Sequence, residues 1–527
     1  MPPDRATLAA PSPELLRSGA AALARHSHAE LAVLIGQCRQ SVATAADAWV
    51  EASLAAKGWS LLPHARAEEW ASGPLPVARF LHLLHDLQHG LAAGHLPRLR
   101  PVANARDTTA SFAAMPAGRL RDGLLLAGHR ARIDCPIDVV QREPQRCGDV
   151  ALVLGAGNVT ATPVLDVVHQ VFLCGRAVLL KLSPLHERIK AQLRAALEPL
   201  ERAGLLQIVC GGADTGRHLA RHAAIAAVHL TGSTATWAAL RSDPALASKH
   251  LTAEVGCCTP ALLVPGVWRD AELRYAAQQL AAFVACNGGA TCIAPRLVLT
   301  AKGWPQRAAL LQHLRHELAA LPARVPFHGA ARSHFELAAG SASAAELVPT
   351  LRSDLDATRD RALWASEHFA PVLLELPLAA DDATTWLDRA AHFVRDHVHG
   401  ALSAYVFAPR HVLAPVRAAL DATVATLPHG TIAVNCWTGL GYGLGVVPWG
   451  VPTTAAWQHG AGWTRGTLCL SATTRTVIEA PFRSRPLPPW LPAHRTGAAT
   501  LRALTQYYLA PSPLRLAKTA LLALCSP

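Results

Sequence analysis

From position 150 onward, short solid apolar runs alternate with longer stretches of helical period. Val150 to Leu154 is followed by a glycine-rich turn and the amphipathic VLDVVHQVFLCG. AVLLKLSP comes after Gly175, then a helix over Glu187 to Ala203, LQIVCGG, a helix over Thr215 to His222, and AAVHLTGS. Strands alternating with helices of ten to fifteen residues predict βαβ units and a parallel sheet. Such strands are covered on both faces and therefore read as continuous hydrophobic runs. Before this stretch the texture differs. Residues 1 to about 130 read as mostly helical, with breaks at Pro63, at Gly73-Pro74 and at Gly90, and residues 131 to 147 as extended, hairpin-like chain punctuated by Pro136 and Pro144. A further helix is predicted after 270, where Leu273, Ala276, Ala277, Leu280, Phe283 and Val284 share one face, and Asn287, Gly288 and Gly289 stop it.

In an open α/β sheet, ligands bind beyond the carboxyl ends of the strands. Three such ends are Gly155-Ala156-Gly157-Asn158, Lys181-Leu182-Ser183 and Thr231-Gly232-Ser233. The GxGxxG dinucleotide fingerprint is broken, because Thr160 stands at its third glycine. A lysine after one strand and a Gly-Ser pair opening a helix after another still supply a cation and free backbone N–H groups for phosphate. The stopped helix links two further groups, Glu254 in AEVGCCTP and Cys292 in NGGATCIAPR. A thiol on an irregular turn with a carboxylate nearby suits covalent catalysis, with sulfur as nucleophile and the carboxylate as base.

Composition narrows the classes. A chain of 527 residues that is 51% hydrophobic and 16% charged has material for two or three domains. The formal charge of +12 is almost all arginine, and Lys57, Lys181, Lys190, Lys249, Lys302 and Lys518 are the only lysines. The arginines are scattered without a basic block, so the chain is expected to bind no nucleic acid, and a modest preference for anionic ligands is the most the charge implies. MPPDRATLAA lacks the features of a signal peptide, and no uninterrupted apolar run reaches the ~18 residues of a spanning helix. Twelve cysteines without a framework or a CxxC pair indicate reduced thiols in a cytoplasm and no structural zinc. His82, His85 and His89 share one helix face, but with no cysteine near and Asp86 turned away they read as an ordinary face, and no metal is expected.

The ordered set Asn158, Lys181-x-Ser183, Thr231-Gly232-Ser233, Glu254-x-Gly256, Asn287-x-Gly289-x-x-Cys292 and Ser366-Glu367-x-Phe369-x-Pro371-Val372 resembles the aldehyde dehydrogenase superfamily over roughly residues 130 to 480. That resemblance implies an α/β fold of two Rossmann-type domains with a small bridging, oligomerising β-element. The boundaries expected are 1–130 and 148–256 for the NAD(P)-binding domain, 257–466 for the catalytic domain, 131–147 with 467–482 for the β-element, and 483–527 for a C-terminal tail. It implies Cys292 as nucleophile, Glu254 as general base and Asn158 as an oxyanion donor. It also implies cofactor contacts from Lys181, Ser183, Gly232, Ser233, Glu367 and Phe369, and the small-molecule aldehyde as substrate. NAD or NADP would be the acceptor, and LCLSATTRTVIEAPF would join a neighbouring subunit's sheet in a homodimer or homotetramer.

Four departures bear on this. Pro184 stands where NAD-preferring members often carry a ribose-binding glutamate, which opens the way to NADP. Cys257 replaces a second glycine, Ala290 replaces a glutamine, and the Gly-, Pro- and Trp-rich stretch from 439 to 462 departs from the family ending, with Trp437, Tyr442 and Trp449 as candidate pocket lining. Two alternatives remain open: an acylating, coenzyme-A-dependent dehydrogenase or acyl reductase, and a catalytically silent assembly subunit. The tail, RSRPLPPWLP followed by a basic amphipathic segment, reads as a linker and a packed terminal helix.

Overall fold

The computed structural model describes residues 13–102, 109–116, 123, 125–452 and 455–525. Four helices open the chain: α1 (Leu15–Leu23), α2 (His28–Lys57), α3 (Pro63–Ser72) and α4 (Pro74–Ala92). A capping box starts α2, with Ser27 and Glu30 satisfying each other's backbone N–H groups, and Gly58 ends it in the left-handed conformation. Prolines at the first positions of α3 and α4 account for the breaks at 63 and 74. Gly90 does not break its helix. The neighbouring Leu87 and Leu91 are buried, and their packing outweighs the ~1 kcal/mol that a helical glycine costs.

Two sheets form the body. The first holds β3 (Val150–Leu154), β4 (Ala177–Leu182), β5 (Leu206–Cys210), β6 (Ile225–Gly232) and β7 (His250–Val255), all parallel, with β14 (Pro448–Val451) and β15 (Gly460–Arg465) added antiparallel beyond β7. Its order is β14-β15-β7-β6-β3-β4-β5. Helices α1, α2 and α4 pack on this unit, and the Trp49 indole on α2 donates to Thr160 Oγ1 (2.9 Å) in the turn after β3. The second sheet holds β8 (Pro260–Leu263), β9 (Leu297–Ala301), β10 (Thr350–Arg352), β11 (Val372–Leu378), β12 (Ser403–Phe407) and β13 (Thr431–Val434), extended by β16 (Arg475–Glu479), β2 (Arg130–Pro136) and β1 (Thr109–Met115). The expected α/β architecture with two largely parallel sheets is what the chain adopts.

Three local expectations change. Thr109–Met115 is a strand inside the segment read as helical, because it pairs with β2, a partner that periodicity in a short window cannot reveal. The strand expected to join a neighbour's sheet, β16, is paired on both edges within its own chain, Thr476 with Thr431 on one side and with Ile133 on the other. The separate β-element is therefore continuous with the second sheet. Residues 448–465, assigned to the catalytic domain, instead widen the first sheet, and Gly460 pairs with Glu254. The tail folds back as helices Gly497–Leu509 and Pro513–Leu524, the former packed on α3 and α4 with Leu501 and Tyr507 buried. Among the described residues no helix is long and apolar enough to cross a membrane.

Candidate active site

Glu254 is the penultimate residue of β7 and is 5% exposed. One carboxylate oxygen accepts from the Trp449 indole N–H (2.9 Å), and the other lies 3.6 Å from the Cys292 thiol, which donates to it. Trp449 belongs to β14, so the antiparallel extension of the first sheet supplies the carboxylate's second partner. The aromatic content of 439–462 marked Trp449 as lining; its hydrogen bond to Glu254 had no sequence signal.

Cys292 is half-buried and reaches this point through a loop that few sequences could adopt. After the helix Asp270–Ala285, Asn287, Gly288 and Gly289 all have positive φ (55°, 63° and 79°). A Cβ on Gly289 would lie inside the backbone of Ala370 and Pro371, so glycine is required there. Asn287 tolerates the left-handed conformation because every polar group it has is used. Its amide donates to the carbonyls of Asn158 (2.9 Å) and Ala290 (2.8 Å), its Oδ1 accepts from Lys57 Nζ (2.8 Å), and its backbone N–H donates to Glu68 (2.9 Å). Lys57 also pairs with Glu69 (2.5 Å), and Arg324 grips Glu68 with both guanidinium nitrogens (2.6 and 2.7 Å). Beyond the cysteine, Thr259 Oγ1 donates to the Cys292 carbonyl (3.1 Å), and buried Arg296 donates to the carbonyls of Gly289, Thr291 and Ala370. Asn158, at the end of β3, donates one amide N–H to the Ala290 carbonyl (3.1 Å).

The Lys57, Glu68, Glu69 and Arg324 network was invisible in the sequence, because its members lie 219 to 256 residues apart across the contacts that matter. Lys57→Met leaves Glu69 and the Asn287 amide oxygen buried without their cation. Loss of about 3–5 kcal/mol of stability is expected in chemical denaturation, since one partner of a buried ion pair is removed.

The electrostatics favour a resting site without net charge at the thiol. Burial pushes the Cys292 thiol well above its ordinary range, and Glu254 and Glu367 push it further the same way. Burial also raises Glu254, an effect opposed chiefly by Arg465. Glu367 is pushed up to about 8 by burial, relieved in part by Arg296. Its carboxylate lies against Gly256, where a Cβ would collide with it, and Oε1 is buried without a hydrogen-bond partner. The folded protein thus holds a proton on Glu367 that the unfolded chain, near 4.5, has released. Stability attributable to this group is complete at low pH and is lost as pH rises toward about 8. Melting temperatures measured from pH 5 to pH 8 should fall less steeply in Glu367→Gln than in the parent protein.

The other predicted positions form a second group at the carboxyl ends of β3, β4 and β6. Lys181 is 9% exposed, and its ammonium makes one long contact, to the Gly212 carbonyl (3.4 Å). Ser183 caps the turn 184–189 by accepting from Leu185 N–H (3.3 Å), and it lies so close to Gly157 that a side chain there would meet it. Gly232 ends β6, and Ser233 caps the helix Thr234–Arg241 through the Thr236 N–H (3.2 Å). Phe369 belongs to neither group. Its N–H donates to His334 (3.1 Å) and its ring meets His328 edge-on at 5.7 Å, two histidines the sequence reading did not single out. Among the described residues, no group of three or more His, Cys, Asp or Glu side chains is placed to hold a metal ion.

The aldehyde dehydrogenase family model matches residues 126–331. The chain is 30% identical over 122 residues to the aldehyde dehydrogenase LUC3 of a Fusarium species, a stretch covering 23% of this chain and 26% of that protein. The match therefore spans about a quarter of that curated relative's length. Among solved structures, aldehyde dehydrogenase C of Pseudomonas syringae, a variant complexed with NAD+ and octanal, superposes with a TM-score of 0.60 at 17% identity, covering 90% of this chain and 89% of that one. The aldehyde dehydrogenase KauB of Pseudomonas aeruginosa gives 0.60 at 14% identity, with 88% and 87% covered. At these identities the structural likeness is one of fold.

Proposed function

We propose that this chain, a member of the aldehyde dehydrogenase superfamily, oxidises an aldehyde to a carboxylic acid with NAD or NADP through a thioester at Cys292. The observation that carries the reading is the Cys292 thiol donating to the buried carboxylate of Glu254 at 3.6 Å, in a loop whose Ala290 carbonyl accepts from the Asn158 amide. Glu254 takes the thiol proton as sulfur attacks the carbonyl carbon. The developing oxyanion is met by the second N–H of Asn158 and by the backbone N–H of Cys292, which donates to no protein atom among the described residues. A bound nicotinamide would supply the hydride acceptor that turns the thiohemiacetal into a thioester. Glu254 releases that proton to solvent, draws another from the water whose oxygen adds to the thioester carbon, and returns it to the Cys292 sulfur as the carbon–sulfur bond breaks and the acid leaves.

The residues present suit the dinucleotide. Glu367 Oε1 is buried and unpartnered, Lys181 has one weak contact, and the Ser233 helix presents its first-turn N–H groups at a strand end. Pro184 supplies no carboxylate beside Lys181, so KM for NADP is expected to be no higher than KM for NAD. Lys181→Met should raise the NADP value by about tenfold, as loss of a charge-assisted phosphate contact does.

The test is the absorbance of reduced nicotinamide on mixing the protein with aliphatic and aromatic aldehydes and either cofactor, with and without coenzyme A. Turnover without coenzyme A is the expected result. Turnover only in its presence would replace hydrolysis with acyl transfer, and none under either condition would overturn the dehydrogenase reading.

A further inference from the structure

The helix Pro513–Leu524 turns its leucines outward. Leu514, Leu521 and Leu524 are 84%, 63% and 68% exposed, and with exposed Ala517 they recur at the three- and four-residue steps that build one stripe along a helix. The inward face carries less apolar surface: Thr519 is its buried residue, and Leu516, Leu522 and Ala523 are half-buried. A single exposed leucine is ordinary, whereas three aligned on one short helix make a patch. The stripe is held in place at both ends. Ser512 caps the first turn through the Arg515 N–H (3.3 Å), and Arg515 Nη1 donates to the Gln506 and Ala510 carbonyls (3.2 and 2.8 Å) at the end of the helix Gly497–Leu509. At the other end Thr496 Oγ1 donates to the Leu522 carbonyl (2.7 Å). The leucines face outward because the anchored helix holds them there, so folding leaves an apolar face for another body to cover.

The charge around the stripe selects that body. All 37 acidic residues of the chain precede Ala480, and from there to Pro527 the charged residues are Arg483, Arg485, Arg495, Arg502, Arg515 and Lys518. Lys518 stands one turn beyond Leu514 at the edge of the stripe, is exposed, and makes no ion pair among the described residues. Arg515 is exposed beside it, while Arg502 is spent on Asp47 (2.6 Å). A second copy of this chain suits the stripe poorly. Three leucines offer on the order of a few hundred Å², against the ~800 Å² per partner of a standard interface, and two copies of Lys518 and Arg515 would be brought together. A bilayer containing anionic lipid reverses that electrostatics. Apolar side chains enter the acyl boundary while lysine and arginine reach up to the phosphates.

We propose that the helix Pro513–Leu524 docks the protein on an anionic lipid bilayer. It lies in the plane of the surface, with Leu514, Leu521 and Leu524 in the acyl boundary and Lys518 and Arg515 at the level of the lipid phosphates. At ~1.5 Å per residue the helix is ~18 Å long, too short for the ~30 Å of hydrocarbon, so it rests on the membrane and does not span it. The assignment is independent of the dehydrogenase reading, because none of these residues belongs to the candidate active site.

The full-length protein is floated on a density gradient with vesicles of phosphatidylcholine alone and with vesicles of phosphatidylcholine and phosphatidylserine in equal parts. Partition onto the anionic vesicles should exceed that onto the neutral ones by about tenfold or more, since each cation near the surface contributes about fivefold, and it should fall as salt is added. Leu514→Gln/Leu521→Gln keeps every charge and should lose about tenfold in partition. Lys518→Gln should lose about fivefold on anionic vesicles and nothing on neutral ones. All three positions are exposed, so circular dichroism should match the parent. No flotation with either vesicle overturns the proposal. So does binding that the leucine variant retains in full, which would come from the net charge of +12 alone. Where the leucine variant fails to fold, equal partition onto the two vesicles, or partition unchanged in Lys518→Gln, overturns it instead. Light scattering without lipid reads the rival occupant: a parent dimer that Leu514→Gln/Leu521→Gln converts to a monomer gives the stripe to a second copy and overturns the bilayer assignment.

Discussion

Cys292→Ala is expected to abolish aldehyde oxidation, with kcat reduced by about 10⁴-fold or more, as removal of a covalent nucleophile does. The expectation depends on geometry that the substitution leaves alone. The loop is held by Asn287, Arg296, Thr259 and the Lys57 network, all acting through backbone groups or through one another. The thiol itself makes one hydrogen bond, at 3.6 Å to Glu254. Alanine therefore removes the sulfur and keeps the frame. Quenching of tryptophan fluorescence by NADP should be unchanged in the variant, because Lys181, Ser183 and Ser233 belong to different strand ends. Cys257, Cys258 and Cys286 provide no substitute. Cys257 and Cys258 are buried, Cys257 donates its thiol to the Ser403 carbonyl (3.8 Å), and among the described residues the thiol hydrogen bond to Glu254 belongs to Cys292. Residual turnover within a hundredfold of the parent would show that another group performs the attack.

Much of this site could be read from the chain because its elements are local. Cys292, Asn287 and Gly289 lie within one loop, and the requirement for glycine and asparagine at positive φ is written in the residue types themselves. Glu254 lies at the end of one buried apolar strand and Asn158 in the turn after another, and periodicity detects both strands. What could not be read is non-local pairing. Strand β1 reads as helix in sequence because its stabilisation comes from β2, and the resemblance gives β16 to a neighbour because its partners at Thr431 and Ile133 are invisible to spacing. The same limit hid Lys57 and Glu68, whose role is defined by a loop more than two hundred residues away.

Glu254→Gln separates two duties of one carboxylate and should lower steady-state turnover by about 10²- to 10⁴-fold, the range for loss of a general base. Glutamine retains an acceptor for the Trp449 indole, so the frame survives while the base is lost. In the parent protein, burial raises Glu254, and the group works only when deprotonated. The acid limb of the rate profile should therefore lie above the ordinary carboxylate value of 4.5, and activity should increase as pH rises through it. In Glu254→Gln the carboxylate that accepts from the thiol is gone, and burial still pushes the Cys292 thiol above its ordinary range. Formation of the first equivalent of reduced cofactor should then quicken with alkaline pH, as solvent hydroxide removes the thiol proton. Turnover beyond that equivalent should stay slow, since the thioester still lacks a base to activate water. Stopped-flow and steady-state traces on one sample distinguish the two steps. A variant that recovers both at high pH would confine Glu254 to thiol activation, and one within tenfold of the parent throughout would remove it from the chemistry.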